Sequence, residues 1–429
     1  MIKHSLKINK NDIWLNALLF VPFFISCFVT NCIVENIMGF FSVLLLVRAA
    51  WKYRYNTSVF ICLLFIAYSV FSIWIGVYFD TNMRPLFYQQ FTKPNVYNIG
   101  MQCLFLFSIV LWNFTRKNKV LRQRKKNCDV KDNYLISILC AVFTILIVVF
   151  NFSFGTEGER ASSTTLYEYK IVFCIIGMLY SKKSSLLKYM WISIIAVSCM
   201  LSFMGGNRVD AIPLIIAVIY FYYNNIDPKR VVGIVMVAIF FMVSIGAVRQ
   251  TIVTEGLDFR VIIKKIVDEK FTFDTAYWAY IPALASLSIS NIVPVAEKID
   301  LFIGQLLYIF GGSKFNSYRL VFYTKNYYNH VNGFVSPIYF YMWFGLWGAV
   351  LFAIIVCGYL KWICKRKDMI KSSIKQSLIE AASAYFVSSV PRWFLYEPFG
   401  LLRGELIVVI VCLVFALLQQ ILTRRITIN

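Results

Sequence analysis

The residues of this chain best suited to chemistry are cations. The stretch FMGGNRVDAI, residues 203–212, sets Arg208 two places before Asp210 at the head of an apolar run. Gly205 and Gly206 suit a tight turn and let a ligand approach the backbone. A helix starting just after them aims its unpaired N–H groups and positive partial charge at that turn, which suits an anion. Arg208 adds a flat fork of donors that matches phosphate oxygens in two contacts. Asp210 then has two readings: partner in a structural ion pair, or the group that orients Arg208 toward a phosphate or pyrophosphate. Arg249 follows another apolar run, Arg260 and Arg319 lie in a long hydrophilic segment, and Arg392 and Arg403 sit in VPRWFLYEPFGLLRGEL. A single arginine of this kind commonly reaches to lipid phosphate. Several together describe a pocket for a polyanionic group. His330, in KNYYNHVNGFVSPIYF, is a candidate proton acceptor. Its plainer reading is a histidine hydrogen-bonded where a helix begins. Tyr323, Tyr327 and Tyr328 fit sugar stacking, and equally an interfacial aromatic belt.

What must position these residues is a set of membrane helices. Of 429 residues, 59% are hydrophobic and 15% charged, too little charge to cover a water-soluble protein of this size. Apolar runs of about 18 residues or more recur along the chain, which predicts an all-α polytopic membrane protein. A β-barrel needs short alternating segments instead. The first apolar run follows a basic N-terminus and lacks a small-residue cleavage site, so it is expected to be retained. Twelve spans are expected, near 13–29, 33–49, 58–79, 97–114, 133–151, 166–180, 189–204, 209–223, 231–248, 335–360, 376–391 and 401–421. With both termini on the cytoplasmic side, 27 of the 43 Lys and Arg fall in cytoplasmic segments, and the short outer loops are nearly bare. The net charge of +22 follows from this bias, and no nucleic-acid motif is present. The 11 cysteines lie mostly in apolar runs without a CxxC, against a disulfide framework or a zinc site.

The chain divides into 1–248 with nine spans, a large outer loop over 249–334, and 335–429 with three spans. The loop contains TEGLDFRVIIKKIVDEKF, spaced like a helix lying on a membrane surface or packed on its own domain. TAYWAYIPALASLSISNIVP and LFIGQLLYIF are apolar enough to dip into the bilayer, and the count becomes fourteen if both cross. Loops of this length usually carry function. In this arrangement the arginines named above and His330 all face outward.

Three stretches together carry a family resemblance: FMGGNRVDAI, NHVNGFVSPIYFYMWFGLWGAVLF with its Gly345 and Gly348, and VPRWFLYEPFGLLRGEL. With the layout of spans and loop, the chain resembles the Wzy-type O-antigen polymerases and, more distantly, the O-antigen ligases. The resemblance covers about an eighth of the chain. It implies a GT-C-like membrane glycosyltransferase of the bacterial inner membrane with a periplasmic active site. A growing glycan on undecaprenyl pyrophosphate is the donor and a lipid-linked repeat unit the acceptor, with no metal, nucleotide sugar or other cofactor. It implies that Arg208, Arg249, Arg392 and Arg403 hold the pyrophosphate, that Asp210 orients Arg208, and that His330 is the acceptor's base. The chain departs from the ligases here, whose histidine sits in a denser motif. Glu157, Glu159 or Glu405 are alternative bases. Membrane lipids and a chain-length regulator are the implied partners, and nucleic acid is not. The rival readings are a lipid-linked oligosaccharide flippase, which has two related halves and charges within its spans, and the ligase, which shares most of the site.

Overall fold

The computed structural model describes residues 10–79, 95–118, 130, 132–153, 162–163, 165–204, 208–223, 226–234, 260–261, 264, 275–330, 332–365 and 373–426. The chain is a helical membrane protein. Its helices are α1 (Lys10–Phe28), α2 (Cys32–Lys52), α3 (Thr57–Phe79), α4 (Val96–Lys117), α5 (Tyr134–Asn151), α6 (Thr165–Glu168), α7 (Lys170–Leu179), α8 (Ser185–Met204) and α9 (Arg208–Tyr222). There follow α10 (Thr275–Ile289), α11 (Val295–Gly311), a 3-10 turn (Gly312–Tyr318), α12 (Leu320–Thr324), α13 (Ser336–Tyr339), α14 (Tyr341–Phe344), α15 (Trp347–Lys365), α16 (Ser373–Ser388), α17 (Val390–Leu395) and α18 (Pro398–Ile426). Two two-residue strands, β1 (Phe152–Ser153) and β2 (Ser162–Ser163), pair antiparallel.

Among the described residues, seven helices are long and apolar enough to cross a membrane: α2, α3, α4, α5, α8, α15 and α18; shorter apolar stretches lie in α1 and α9. Their outer faces are hydrophobic. In α5, Ile138, Val142, Ile145, Val149 and Phe150 are all exposed while Cys140, Thr144 and Ile147 face inward. Such a surface suits contact with lipid rather than water. Inside, small polar groups satisfy themselves locally. Ser42, Ser108 and Thr144 each donate to the carbonyl four residues back. Asn31 and Asn133 cap α2 and α5 by accepting from the Ile33 and Ile136 amides.

Three expected spans differ from the structure. The span drawn at 335–360 does not run through: α13 and α14 are single turns, and the long helix begins only at Trp347. Gly345 has φ +55°, a backbone state that glycine adopts without strain, and it turns the chain between them. The span at 166–180 is broken at Tyr169, which separates α6 from α7. The span at 376–391 ends at Ser388, and α17 starts afresh with Pro391 in its first turn. The span at 231–248 lies mostly outside the described residues.

The first apolar stretch of the long loop forms α10. It is buried almost throughout and packs against α3 and α4. At 15 residues it is about 22 Å long at 1.5 Å per residue, short of a ~30 Å hydrocarbon core. The second forms α11, whose inner residues Leu301, Gly304 and Gln305 are buried as it packs against α18 and the 3-10 turn.

Candidate functional site

The site forms where α7, α9, α16, α17 and α18 pack together, with α11 alongside. The helix breaks noted above create it. Because the chain restarts after Ser388, α17 carries Arg392 across to α6 and α9. Arg392 Nη1 donates to Glu168 Oε2 at 2.6 Å, and Nη2 donates to Asp210 Oδ1. Burial opposes the charge on Arg392, but Glu168 and Asp210 outweigh it and raise its pKa, so it stays a cation. Asp210 also acts electrostatically on Lys170, which is buried under Tyr167 and donates to Ser202 Oγ at 3.2 Å.

Five residues after Arg392, Glu397 anchors a second pair. Its Oε2 accepts from Arg319 Nε at 2.6 Å and its Oε1 from the Tyr339 hydroxyl at 2.7 Å. Arg319 also donates to Asn316 Oδ1 at 3.2 Å. Burial opposes the Arg319 charge and Glu397 outweighs it, raising the arginine's pKa.

Arg403 lies between these two pairs and differs from both. Its guanidinium sits 5.8 Å from the Tyr169 ring centre and 5.2 Å from that of Tyr308. The Tyr308 ring is shared, with the Arg319 guanidinium 4.8 Å away. Among the described residues Arg403 has no carboxylate partner. Gly312, at φ +60°, leaves the room this guanidinium fills: an added Cβ there would lie 2.6 Å from the Arg403 guanidinium carbon. Tyr169 links the row, with Arg403, Tyr308, Glu168 and Arg392 all as electrostatic neighbours. The result is one band: Arg392 with Glu168 and Asp210, then Tyr169, Arg403, Tyr308, and Arg319 with Glu397.

The structure therefore brings together Arg392, Arg403, Asp210 and Arg319 of the expected residues. Arg208 begins α9 beside Asp210, but its side chain lies outside the described residues, as do Arg249, Glu157 and Glu159. His330 stands elsewhere, buried at 9% exposure, with Nε2 at 2.8 Å from Thr324 Oγ1. Tyr323 donates to Glu297 Oε1 at 2.7 Å and lies 3.2 Å from the exposed Tyr327 hydroxyl. Burial and those two hydrogen bonds raise the Tyr323 pKa and keep its proton on. Tyr328 instead meets Ser288 Oγ at 2.7 Å. Glu405 accepts from Tyr359 at 2.8 Å.

Sequence reasoning missed Glu168, Tyr169, Tyr308, Gly312 and Glu397. Glu168 carried a readable signal, a carboxylate at the head of the apolar run LYEYKIVFCIIG. Glu397 lay inside a stretch already singled out for its arginines. Chemically, the band as described offers one arginine without an acid partner, flanked by aromatic rings and by two acid-paired arginines, a setting for an anion attached to an apolar or sugar group. No protein-family model matches the chain, and no curated protein or solved structure matches it.

Proposed function

We propose that the chain is a membrane glycosyltransferase that joins undecaprenyl-pyrophosphate-linked oligosaccharide repeat units into O-antigen or a related surface polysaccharide. In this reading it has twelve spans in a GT-C-like arrangement, both termini cytoplasmic, and the arginine band on the periplasmic side of the bacterial inner membrane. The observation that carries it is Arg403, a half-buried guanidinium with ring contacts and no described acid partner. A half-buried cation with no carboxylate partner among the described residues is well matched by an anion from outside the chain. A lipid-linked pyrophosphate fits that demand, since its diphosphate sits where apolar chain and sugar meet. Arg403 holds the diphosphate and stabilises the charge that grows on it as its bond to the anomeric carbon breaks. Arg392 and Arg319 have their charges balanced by acids, so they shape the site and lend hydrogen bonds. Arg208, at the adjacent helix start, is a second anion contact in this reading. Exposed Tyr327 beside Tyr323 offers a surface for sugar rings.

The test is a surface-polysaccharide gel from cells lacking the gene, with and without a complementing copy. A ladder collapsed to core carrying one repeat unit supports the polymerase. Loss of the single-unit band as well refutes it and favours the flippase or the ligase.

A further inference from the structure

We propose that Glu168 is the general base that accepts the proton of the attacking sugar hydroxyl. This rests on the polymerase reading and names a residue for its chemical step.

A base in this site must be reachable, held in place and near the leaving group. Glu168 meets all three conditions. Its side chain is 49% exposed, the most open of the carboxylates ion-paired in the band. Arg392 Nη1 holds Oε2 at 2.6 Å, and among the described residues Oε1 has no partner, so one oxygen is fixed and the other is available. Glu168 adjoins Tyr169, whose ring faces Arg403 at 5.8 Å. The other carboxylates described near the band are closed off or distant. Asp210 is 11% exposed and bonded to Arg392, and Glu397 is 3% exposed and bonded twice. Glu297 accepts from Tyr323 about three turns before Tyr308 on α11, and Glu405 accepts from Tyr359 while its other oxygen, Oε1, is buried with no described partner. His330 is buried with Nε2 on Thr324.

In the step, the acceptor oxygen forms a bond to the anomeric carbon of the donor. The bond from that carbon to the diphosphate oxygen breaks, and its electron pair leaves with the diphosphate beside Arg403. The hydroxyl proton passes to Glu168 Oε1, and the resulting carboxylic acid returns it to water. Glu168 is then a catalytic residue, with Arg392 its positioning residue.

The experiment uses the purified full chain in detergent with a lipid-linked repeat unit as substrate. Glu168→Gln keeps a carbonyl oxygen for Arg392 but removes the basic oxygen. Its expected result is a loss of turnover of about 10²-fold or more, with thermal stability and binding of undecaprenyl pyrophosphate at wild-type values. Glu168→Ala should regain part of its turnover on addition of formate, a small carboxylate that can fill the vacated space. Turnover of Glu168→Gln within about threefold of wild type overturns the proposal. So does a loss of lipid binding or of folding in both variants, which makes Glu168 a structural tether for Arg392. If the wild-type protein joins no units, the polymerase reading falls and this proposal with it; if Arg403→Ala is inactive while Glu168→Gln is active, only this proposal falls.

Discussion

Removing Arg403 should stop chain growth without unfolding the protein. The two consequences are separable because of what Arg403 touches. Its contacts are two tyrosine rings, each worth about 0.5–1 kcal/mol in a half-wet setting, so Arg403→Ala lowers folding stability by about 1–2 kcal/mol. It strands no carboxylate among the described residues. The effect on turnover is larger, because a fixed cation at a departing diphosphate acts as a preorganised donor. Losing such a group raises the barrier by about 3–4 kcal/mol, a fall in kcat of roughly 10²–10³. Arg403→Lys keeps the charge and loses the planar fork, which should cost about tenfold. The contrast is Arg392→Ala. That change leaves Asp210, at 11% exposure, without its partner and is expected to destabilise by about 3–5 kcal/mol. Half-exposed Glu168 adds little to that figure because water screens it. The assay pairs repeat-unit polymerisation by purified protein with a thermal unfolding curve and an immunoblot of the membrane fraction. Arg403→Ala should be folded and inactive, and Arg392→Ala should be depleted. Near-wild-type turnover in folded Arg403→Ala protein would refute the reasoning that an unpaired cation marks the leaving-group site.

Gly312→Ala should act as a partial copy of the Arg403 variants, since the new methyl displaces the guanidinium and the φ of +60° adds about 1–3 kcal/mol of local strain; a drop in turnover of about tenfold, read in the same assay, is expected. Arg319→Met strands buried Glu397 and should destabilise by about 3–5 kcal/mol, and adding Glu397→Gln should recover part of it, as a double-mutant cycle of unfolding curves can show. His330→Ala breaks its bond to Thr324 inside a packed region and should cost about 1–3 kcal/mol of stability while turnover per folded molecule holds. A loss of turnover with stability intact would instead make His330 the base.

Much of the scaffold was legible in the sequence because burial in lipid writes itself locally. Long apolar runs have one stable outcome, and α2, α3, α4, α5, α8 and α18 begin and end within a few residues of where those runs do. The arginine-rich stretch around α17 was also legible, since cations beside apolar runs are rare enough to notice. The helix breaks were harder. Tyr169 is an ordinary residue for a span, and nothing in its type marks the point where α6 ends and α7 begins. Nor did hydropathy reveal α10 as an inner helix, because a segment buried in protein and one facing lipid have the same composition. Charge pairing was the least legible feature. Arg392 meets Asp210 across 182 residues and Glu168 across 224, and no local pattern encodes such partners. For that reason Asp210 suggested Arg208 as its partner, where the described partner is Arg392.

The breaks and the charges explain each other. In a bilayer an interrupted helix exposes polar backbone, which is tolerated only inside protein or beside a polar cavity. Here the interruptions at Tyr169, between α16 and α17, and at Gly311–Gly312 all fall next to the arginine band. Each one also delivers a member of it. The first falls beside Glu168 and Tyr169, the second precedes Arg392 with its Glu168 partner and Glu397 with its Arg319 partner, and the third sets Gly312 against the Arg403 guanidinium. A purely structural ion-pair cluster would leave no arginine without an acid among the described residues. Arg403, seated against Gly312, is the arginine of the band that no described acid neutralises, and it is the one the proposed diphosphate would meet.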